Sequence, residues 1–149
     1  MTEEQPPSSN NPSPEDQQTE ISSENGPQPG VISTWLSEQG LNHKVLDKDH
    51  LGIEIIGVEP NDLPNIAKVL KNDGFNYLEC QGGYDEGPGQ NLVSFYHLID
   101  MGNIKSEQSL EENSNFREVR IKVFLSRDEN LHVPSLYSLF RGSDWQERE

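Results

Sequence analysis

The chain has 149 residues, the length of one small domain, and its hydrophobic content of 31% is low for a chain that is folded throughout. Its 26 acidic and 11 basic residues give a net charge of −15, which excludes nucleic acid and anionic membrane surfaces as expected partners, since both require clustered Lys and Arg. The single cysteine excludes an intrachain disulfide and a metal cluster held by cysteines of this chain alone.

The apolar deficit is concentrated at the N-terminus. Residues 1–30 contain six Pro, five Ser and six acidic residues but no Lys or Arg, so they bury too little apolar surface to offset the entropy lost on ordering. We predict a disordered acidic tail over residues 1–30 and one folded domain over residues 31–149. The tail lacks the basic start of a secretory signal, and no segment approaches the roughly 18 apolar residues of a spanning helix. The protein is therefore expected to be soluble and cytoplasmic unless a partner holds it at a membrane.

The domain is predicted to begin with a helix and a pair of strands. Apolar residues recur at helical spacing over residues 31–39, and Gly40 follows as a stop signal. Residues 45–46 and 51–58 are apolar and β-branched on either side of a polar turn. This pattern predicts two paired strands.

A second helix is predicted after the strand pair. Pro60 is suited to the first turn of a helix, and Gly74 can close the helix in the left-handed conformation. Between Pro60 and Gly74 there is one apolar stripe at positions i, i+3, i+4 and i+7, formed by Leu63, Ile66, Ala67 and Leu70.

A hairpin is predicted next. Residues 75–84 and 91–99 are rich in aromatic and β-branched residues and flank a Gly- and Pro-containing connection over residues 85–90. The polar stretch over residues 100–116 has no period, which indicates a mobile surface insertion.

The last elements are a strand and short helical segments. Every second residue from Val119 to Leu125 is aliphatic, which predicts a strand with one face toward a core. A helical stretch is predicted from Pro134 to Phe140, and Asp144 can cap a further turn. The expected fold class is α+β, a mostly antiparallel sheet with helices packed on one side.

The glycine-rich connection does not predict a phosphate site. Gly82, Gly83, Gly87 and Gly89 match neither the dinucleotide-binding order nor the Walker spacing with its Lys. The adjacent Asp85-Glu86 pair also repels phosphate. A hairpin connection is the favoured interpretation.

Residues suited to catalysis are scattered. No two of the four histidines have the i, i+4 spacing of a helical metal site, and His97 on a predicted strand is expected to be a hydrogen-bonded structural residue. No Ser lies in a G-x-S-x-G motif, and Cys80 is expected to be a small buried thiol, with a reactive or interface thiol as the alternative. The sequence thus contains no assembled catalytic, cofactor-binding or metal site.

The C-terminal segment has two interpretations. Trp145 lies among charged residues, so it either covers the core from a solvated helix start or acts as an aromatic anchor for a partner. In the second case Arg148 offers a planar donor for a partner carboxylate. The residues predicted at this interface are Trp145, Glu147, Arg148 and Glu149.

Several blocks, in this order, resemble the family of the hydrophilic subunit J of complex I-like NAD(P)H-quinone oxidoreductases and its bacterial counterpart. The cyanobacterial and plastid form is the most similar. The blocks are Gly-Phe-Asn-Tyr-Leu at 74–78, Tyr-Asp-Glu-Gly-Pro-Gly-Gln at 84–90, Leu-Val-Ser-Phe-Tyr-His-Leu at 92–98, Val-Arg-Ile-Lys-Val-Phe-Leu at 119–125 and Val-Pro-Ser at 133–135. Glu-Arg-Glu at 147–149 resembles the first half of a family signature.

The chain departs from the family pattern at several points. Ser126 stands where the family usually has Pro, and Ser138 and Phe140 stand where it usually has Trp. The resemblance is weak before residue 50 and absent from residues 1–30. Because the signature's aromatic, acidic, Phe-Gly continuation does not follow Glu149, we expect the domain to be C-terminally incomplete.

The resemblance implies a non-catalytic subunit in the hydrophilic arm of a proton-translocating NAD(P)H or ferredoxin-plastoquinone oxidoreductase. The implied partners are the large quinone-cavity subunit and the small cluster-bearing subunit. Those partners hold the quinone site and an iron-sulfur cluster, whereas this chain binds no cofactor. The implied location is peripheral on the thylakoid membrane, on its cytoplasmic or stromal side, with membrane contact only through the complex.

Two other classes of function are compatible with the composition. One is an acidic soluble adaptor that binds a basic protein partner. The other, less favoured, is a small hydrolase, which requires a pocket with two convergent titratable groups.

Overall fold

The computed structural model describes residues 26–102, 116–128 and 131–148, which form a mixed five-stranded sheet and three helices. The helices are α1 (Val31–Glu38), α2 (Leu63–Asn72) and α3 (Ser143–Gln146). The strands are β1 (Lys44–Leu46), β2 (Glu54–Gly57), β3 (Tyr77–Asp85), β4 (Leu92–Asp100) and β5 (Arg117–Leu125). Their order in the sheet is β1-β2-β5-β4-β3.

Helix α1 forms where it was predicted and is held at its start by a strand residue. The Glu54 carboxylate of β2 accepts hydrogen bonds from the backbone N–H groups of Ile32 and Ser33, each at 3.1 Å. The carboxylate reaches them because Gly30 has no side chain: a Cβ there would lie 2.0 Å from the Glu54 Cδ atom. A long-range carboxylate thus pairs two of the N–H groups that a helix start leaves free.

Helix α2 begins at Leu63 rather than at Pro60, which corrects the predicted start. Pro60 lies in a preceding turn, where the Asp62 N–H donates to the Glu59 carbonyl oxygen at 3.0 Å. Pro64 occupies the first helical turn instead, where its missing N–H leaves no hydrogen bond unmade.

The predicted end of α2 is confirmed. Gly74 has a φ of +118°, and the next N–H, that of Phe75, donates to the Leu70 carbonyl oxygen at 3.1 Å. Phe75 and Leu70 are both fully buried, which gives this helix end the apolar contact that usually accompanies it.

Both predicted strand pairs are present. Strand β1 pairs antiparallel with β2, and β3 pairs antiparallel with β4, with a bulge between Leu78 and Cys80. The connection over residues 86–91 is fastened by Arg127, which donates to the Gln90 carbonyl oxygen at 2.8 Å and to the Asp85 carboxylate.

Strand β5 joins the two halves of the sheet. It pairs antiparallel with β4 and parallel with β2, so the sheet is mostly antiparallel with one parallel pairing. Its alternation is confirmed, because Val119, Ile121 and Val123 are fully buried.

The core lies between the sheet and the helices. It combines the buried faces of α1 and α2 with one face of the strands and with two residues of the C-terminal region. Its fully buried members include Leu36, Ile56, Leu63, Ile66, Leu70, Phe75, Leu98, Ile121 and Leu136. The α+β fold class with helices on one side of the sheet is thereby confirmed.

Two predictions about the C-terminal region are wrong. Residues 134–140 form a single turn rather than a helical stretch, and the Phe140 N–H donates to the Leu136 carbonyl oxygen at 2.8 Å. Asp144 lies in the first turn of α3 and does not cap it, because Gly142 is the N-terminal capping residue. Most of the predicted tail and of the predicted insertion lies outside the described residues.

Candidate interface at the C-terminal helix

Helix α3 lies beside β3, the strand at one edge of the sheet. The Gln146 side-chain oxygen accepts a hydrogen bond from the backbone N–H of Gln81 in β3. Ser143, at the start of α3, is fully buried. This short helix is therefore fixed to the sheet by its own side chains.

Glu147 has an internal role. One oxygen of its carboxylate accepts from the Leu136 N–H at 2.9 Å, and the other accepts from the Ser135 hydroxyl at 2.5 Å. The Ser135 hydroxyl oxygen also accepts from the Tyr137 N–H at 3.1 Å. Glu147 thus joins the end of the described chain to the turn over residues 134–140, and its predicted interface role stays a prediction.

Trp145 and Arg148 face outward. Trp145 is 74% exposed, so the interpretation in which its ring covers the core is wrong. The Arg148 guanidinium is 72% exposed and lies 2.9 Å from the Asp144 carboxylate, an i, i+4 ion pair. Glu149 lies outside the described residues. An exposed indole beside an exposed guanidinium offers a partner one large apolar surface and one planar donor.

A groove of about 610 Å³ lies next to this surface, between α3, the β3–β4 hairpin and residues 133–135. The Ser94 hydroxyl donates to the Tyr96 phenol oxygen at 3.1 Å within it. Burial, and secondarily the Glu147 carboxylate, raises the pKa of Tyr96, so this phenol stays protonated. Among the described residues, the buried Gln81 side-chain oxygen has no hydrogen-bond donor. The groove therefore has polar groups for a peptide backbone and lies beside the exposed Trp145.

Two of the four histidines, His43 and His97, are hydrogen-bonded within the fold. His97 Nε2 lies 2.8 Å from the Glu118 carboxylate, which confirms the predicted hydrogen-bonded histidine. His43 lies between the Leu41 carbonyl oxygen at 2.9 Å and the Ser33 hydroxyl at 2.7 Å. The other two histidines are exposed: His50 and His132.

Cys80 is half-buried rather than fully buried, which corrects its predicted position. Burial raises the pKa of its thiol, and the neighbouring Glu79 carboxylate raises it further. The protonated thiol is therefore a poor nucleophile. Within the described ranges no cluster of three His, Cys, Asp or Glu side chains is arranged to hold a metal ion. In the same ranges no helix has the length and apolar character needed to cross a membrane.

The fold has solved counterparts. The trypsin-resistant fragment of Nqo5 superposes with a TM-score of 0.60 at 15% identity, covering 78% of this chain and 86% of that one. A chain of the membrane-bound sulfane sulfur reductase, an archaeal respiratory membrane complex, superposes with a TM-score of 0.59 at 14% identity. This match covers 78% of this chain and 62% of that one. The α+β sheet described above is thus a fold also found in these two proteins.

The sequence comparisons go further than the fold. The family model described as "Respiratory-chain NADH dehydrogenase, 30 Kd subunit" matches residues 56–149, and the chain belongs to this family.

Its relatives include organellar and cyanobacterial proteins. The chain is 63% identical to NAD(P)H-quinone oxidoreductase subunit J of the Paulinella chromatophora chromatophore, over 82% of this chain and 66% of that protein. It is 57% identical to subunit J of Prochlorococcus marinus, over 83% of this chain and 69% of the relative. It is 54% identical to subunit J of a Synechococcus species, over 89% of this chain and 72% of the relative. The aligned region therefore spans about two thirds of the length of these relatives.

Proposed function

We propose that this chain is a non-catalytic structural subunit in the hydrophilic arm of a complex I-like, proton-translocating NAD(P)H-quinone oxidoreductase. The observation that carries the proposal is the family match over residues 56–149, which includes the end of β2, all of β3 to β5, and helices α2 and α3. The relatives named subunit J, at 54% to 63% identity, support the same role.

The proposed partners are the large subunit that helps form the quinone cavity and the small subunit that carries an iron-sulfur cluster. In this proposal those partners hold the quinone and the clusters, and this chain binds no cofactor. Its contribution is to fix neighbours that must stay within electron-transfer distance while electrons pass to plastoquinone. Metal and flavin analysis of the purified chain tests the cofactor proposal, because one equivalent of iron or flavin per chain contradicts it.

The proposed location is the thylakoid membrane surface, on the cytoplasmic or stromal side. Relatives named subunit J come from Prochlorococcus marinus and from the organellar chromatophore of Paulinella chromatophora, which supports this setting. The chain is held there through its partners, since an acidic surface is repelled by anionic lipid headgroups.

Docking is proposed to use the surface formed by Trp145 and Arg148. The indole is exposed although α3 itself is fixed to β3, so the helix that carries the anchor is in place before a partner binds. A backbone that is already ordered reduces the entropy lost on association.

This docking role is tested by capture of the large subunit. Trp145→Ala should weaken capture by about 2 kcal/mol or more, the usual loss for an aromatic anchor. The control is Tyr137→Ala, which truncates another exposed aromatic side chain, in the turn next to α3. If Trp145→Ala and Tyr137→Ala both capture the large subunit as well as the unchanged chain, docking lies on another surface.

A further inference from the structure

The sheet face opposite α1 and α2 carries a second apolar cluster, which we call the aromatic face: Tyr84, Val93, Phe95, Lys122 and Phe124. Val93 is only 1% exposed although it does not belong to the core on the helix side. Its neighbours across the strands are Tyr84 and Phe124. Aromatic side chains therefore cover this valine on a face that α1 and α2 leave open.

Gly82 lets the Phe95 ring lie close to the sheet, because a Cβ at this position would be 3.1 Å from the ring. The Phe124 ring lies next to Gly57, at an ordinary contact distance of 3.6 Å from the position that a Cβ would take. The Tyr84 ring is tilted by 44° from that of Phe95, with 6.2 Å between the centroids. Tyr84 is 40% exposed, so the aromatic face presents apolar surface to solvent. Phe95 and Phe124 are half-buried beside it, and aromatic rings that are partly open to solvent are enriched at interaction surfaces.

A lysine lies at the centre of the aromatic face. Lys122 pairs with Phe95 across the strands, and its ammonium lies 5.6 Å from the centre of the Tyr84 ring. In the part of the chain that the structure describes, Lys122 makes no salt bridge, whereas its strand neighbours Arg117 and Arg120 each pair with a carboxylate. On a chain with a net charge of −15, this is a local cation among aromatic rings without a carboxylate of its own.

We propose that the aromatic face binds a protein segment of a neighbouring subunit that presents a carboxylate between apolar side chains. The carboxylate pairs with Lys122, and the apolar side chains cover Tyr84, Phe95 and Phe124. An ion pair that is desolvated beside aromatic rings gives register and specificity, while the flat rings supply the buried area. This inference rests on the proposed function, because it assigns a second docking surface to the same subunit.

The inference is tested by acylating lysines in the free full-length chain and in the assembled complex, with N-acetoxysuccinimide as the probe and mass spectrometry as the readout. Lys68 is the matched control, because it is an exposed lysine of α2 on the other side of the sheet. Lys122 should be acylated at least roughly tenfold more slowly in the complex than in the free chain. Lys122 acylated at the same rate in both samples overturns the inference but leaves the proposed function intact. Failure of the chain to enter any complex overturns both.

Substitution gives an independent readout. Lys122→Glu should reduce capture of the hydrophilic-arm subunits by roughly tenfold or more, whereas Lys68→Glu should leave it unchanged. Lys122→Met keeps an unbranched side chain and removes the charge, so it tests the inference if the Lys122→Glu variant does not fold. It should also weaken capture and abolish the salt dependence of that contact. Capture by Lys122→Met equal to that of the unchanged chain, with the same salt dependence, contradicts the inference.

Discussion

At the scale of residues, acidic side chains hold much of this fold by accepting hydrogen bonds from backbone N–H groups. Asp85 and Asp100 bind the N–H two residues ahead, that of a glycine in each case, at 2.8 Å. Glu54 and Glu147 instead reach helix α1 and the turn over residues 134–140 from far along the chain. The first kind of contact could be predicted from the Asp-x-Gly spacing, which favours a local turn. The second kind could not, because nothing local marks its distant partner.

One prediction at this scale concerns Asp100 and pH. Burial raises the pKa of its carboxyl, but hydrogen bonds from Arg117 and the Gly102 N–H, together with the charge of Arg117, lower it by more. The pKa values of Asp49 and Asp85 are also below the ordinary value of 3.8. Because these folded-state pKa values are depressed, their stabilisation is complete above the unfolded value and is lost as pH falls through the folded values. The urea midpoint of unfolding should therefore fall steeply below about pH 4.

The matched variant is Asp100→Asn. It should be less stable than the unchanged chain at pH 7, and the difference should shrink as the pH falls below about 4. Urea titrations at several pH values measure this. A stability difference that stays constant from pH 7 to about pH 2 would show that the charge of Asp100 does not contribute.

A second prediction concerns Gly89 in the hairpin connection. Its φ is +75°, and no atom lies within 4 Å of the position of an added Cβ, so a substitution there meets only backbone strain. Gly89→Ala should reduce the free energy of unfolding by about 1–2 kcal/mol. The control is Gly83→Ala in β3, where the backbone does not have a positive φ and the added Cβ would lie 3.4 Å from the nearest atom. If thermal unfolding shows the same stability for both variants, the connection is not strained by a side chain.

At the scale of elements, the periodic segments were predictable and the non-local pairings were not. The stripe of α2 and the alternation of β5 each bury one face against the core, so their patterns predict the elements that form. The parallel pairing of β2 with β5 brings together strands that α2, β3 and β4 separate in the chain, and no local pattern specifies it. Residues 134–140 form one turn rather than a helix, and the N–H groups of Leu136 and Tyr137 are paired by Glu147 and Ser135. The contact with Glu147 is not marked by any local pattern.

The prediction at this scale is that Glu147 stabilises the turn and α3 together. Glu147→Ala removes the acceptor of the Leu136 N–H, so the free energy of unfolding should fall by about 1–2 kcal/mol. Amide hydrogen exchange over residues 135–148 should also become faster. Arg148→Ala is the control and should change stability by less than about 0.5 kcal/mol, since it breaks an exposed ion pair. Unchanged hydrogen exchange in the Glu147→Ala variant would mean that the contact of α3 with β3 holds the turn and the helix without Glu147.

At the scale of the whole molecule, the sequence predicted an interface at the C-terminal segment but not how the structure supports that segment. Trp145 was singled out because it is an aromatic residue among charged ones. Its exposure in the structure agrees with a side chain that is available to a partner. The groove beside it and the support from Gln146 depend on β3, which lies far away in the sequence. The alternation of β5 placed Lys122 away from the core, but the aromatic face around it needs three strands in register.

The most direct test of the subunit role is co-migration. The full-length chain, tagged and expressed in a cyanobacterium that lacks its own subunit J, should co-migrate on native electrophoresis of solubilised membranes with the large quinone-cavity subunit. It should also restore electron transfer to plastoquinone that depends on the complex. A chain that migrates alone in the soluble fraction, while the rest of the complex is assembled without it, would contradict the account.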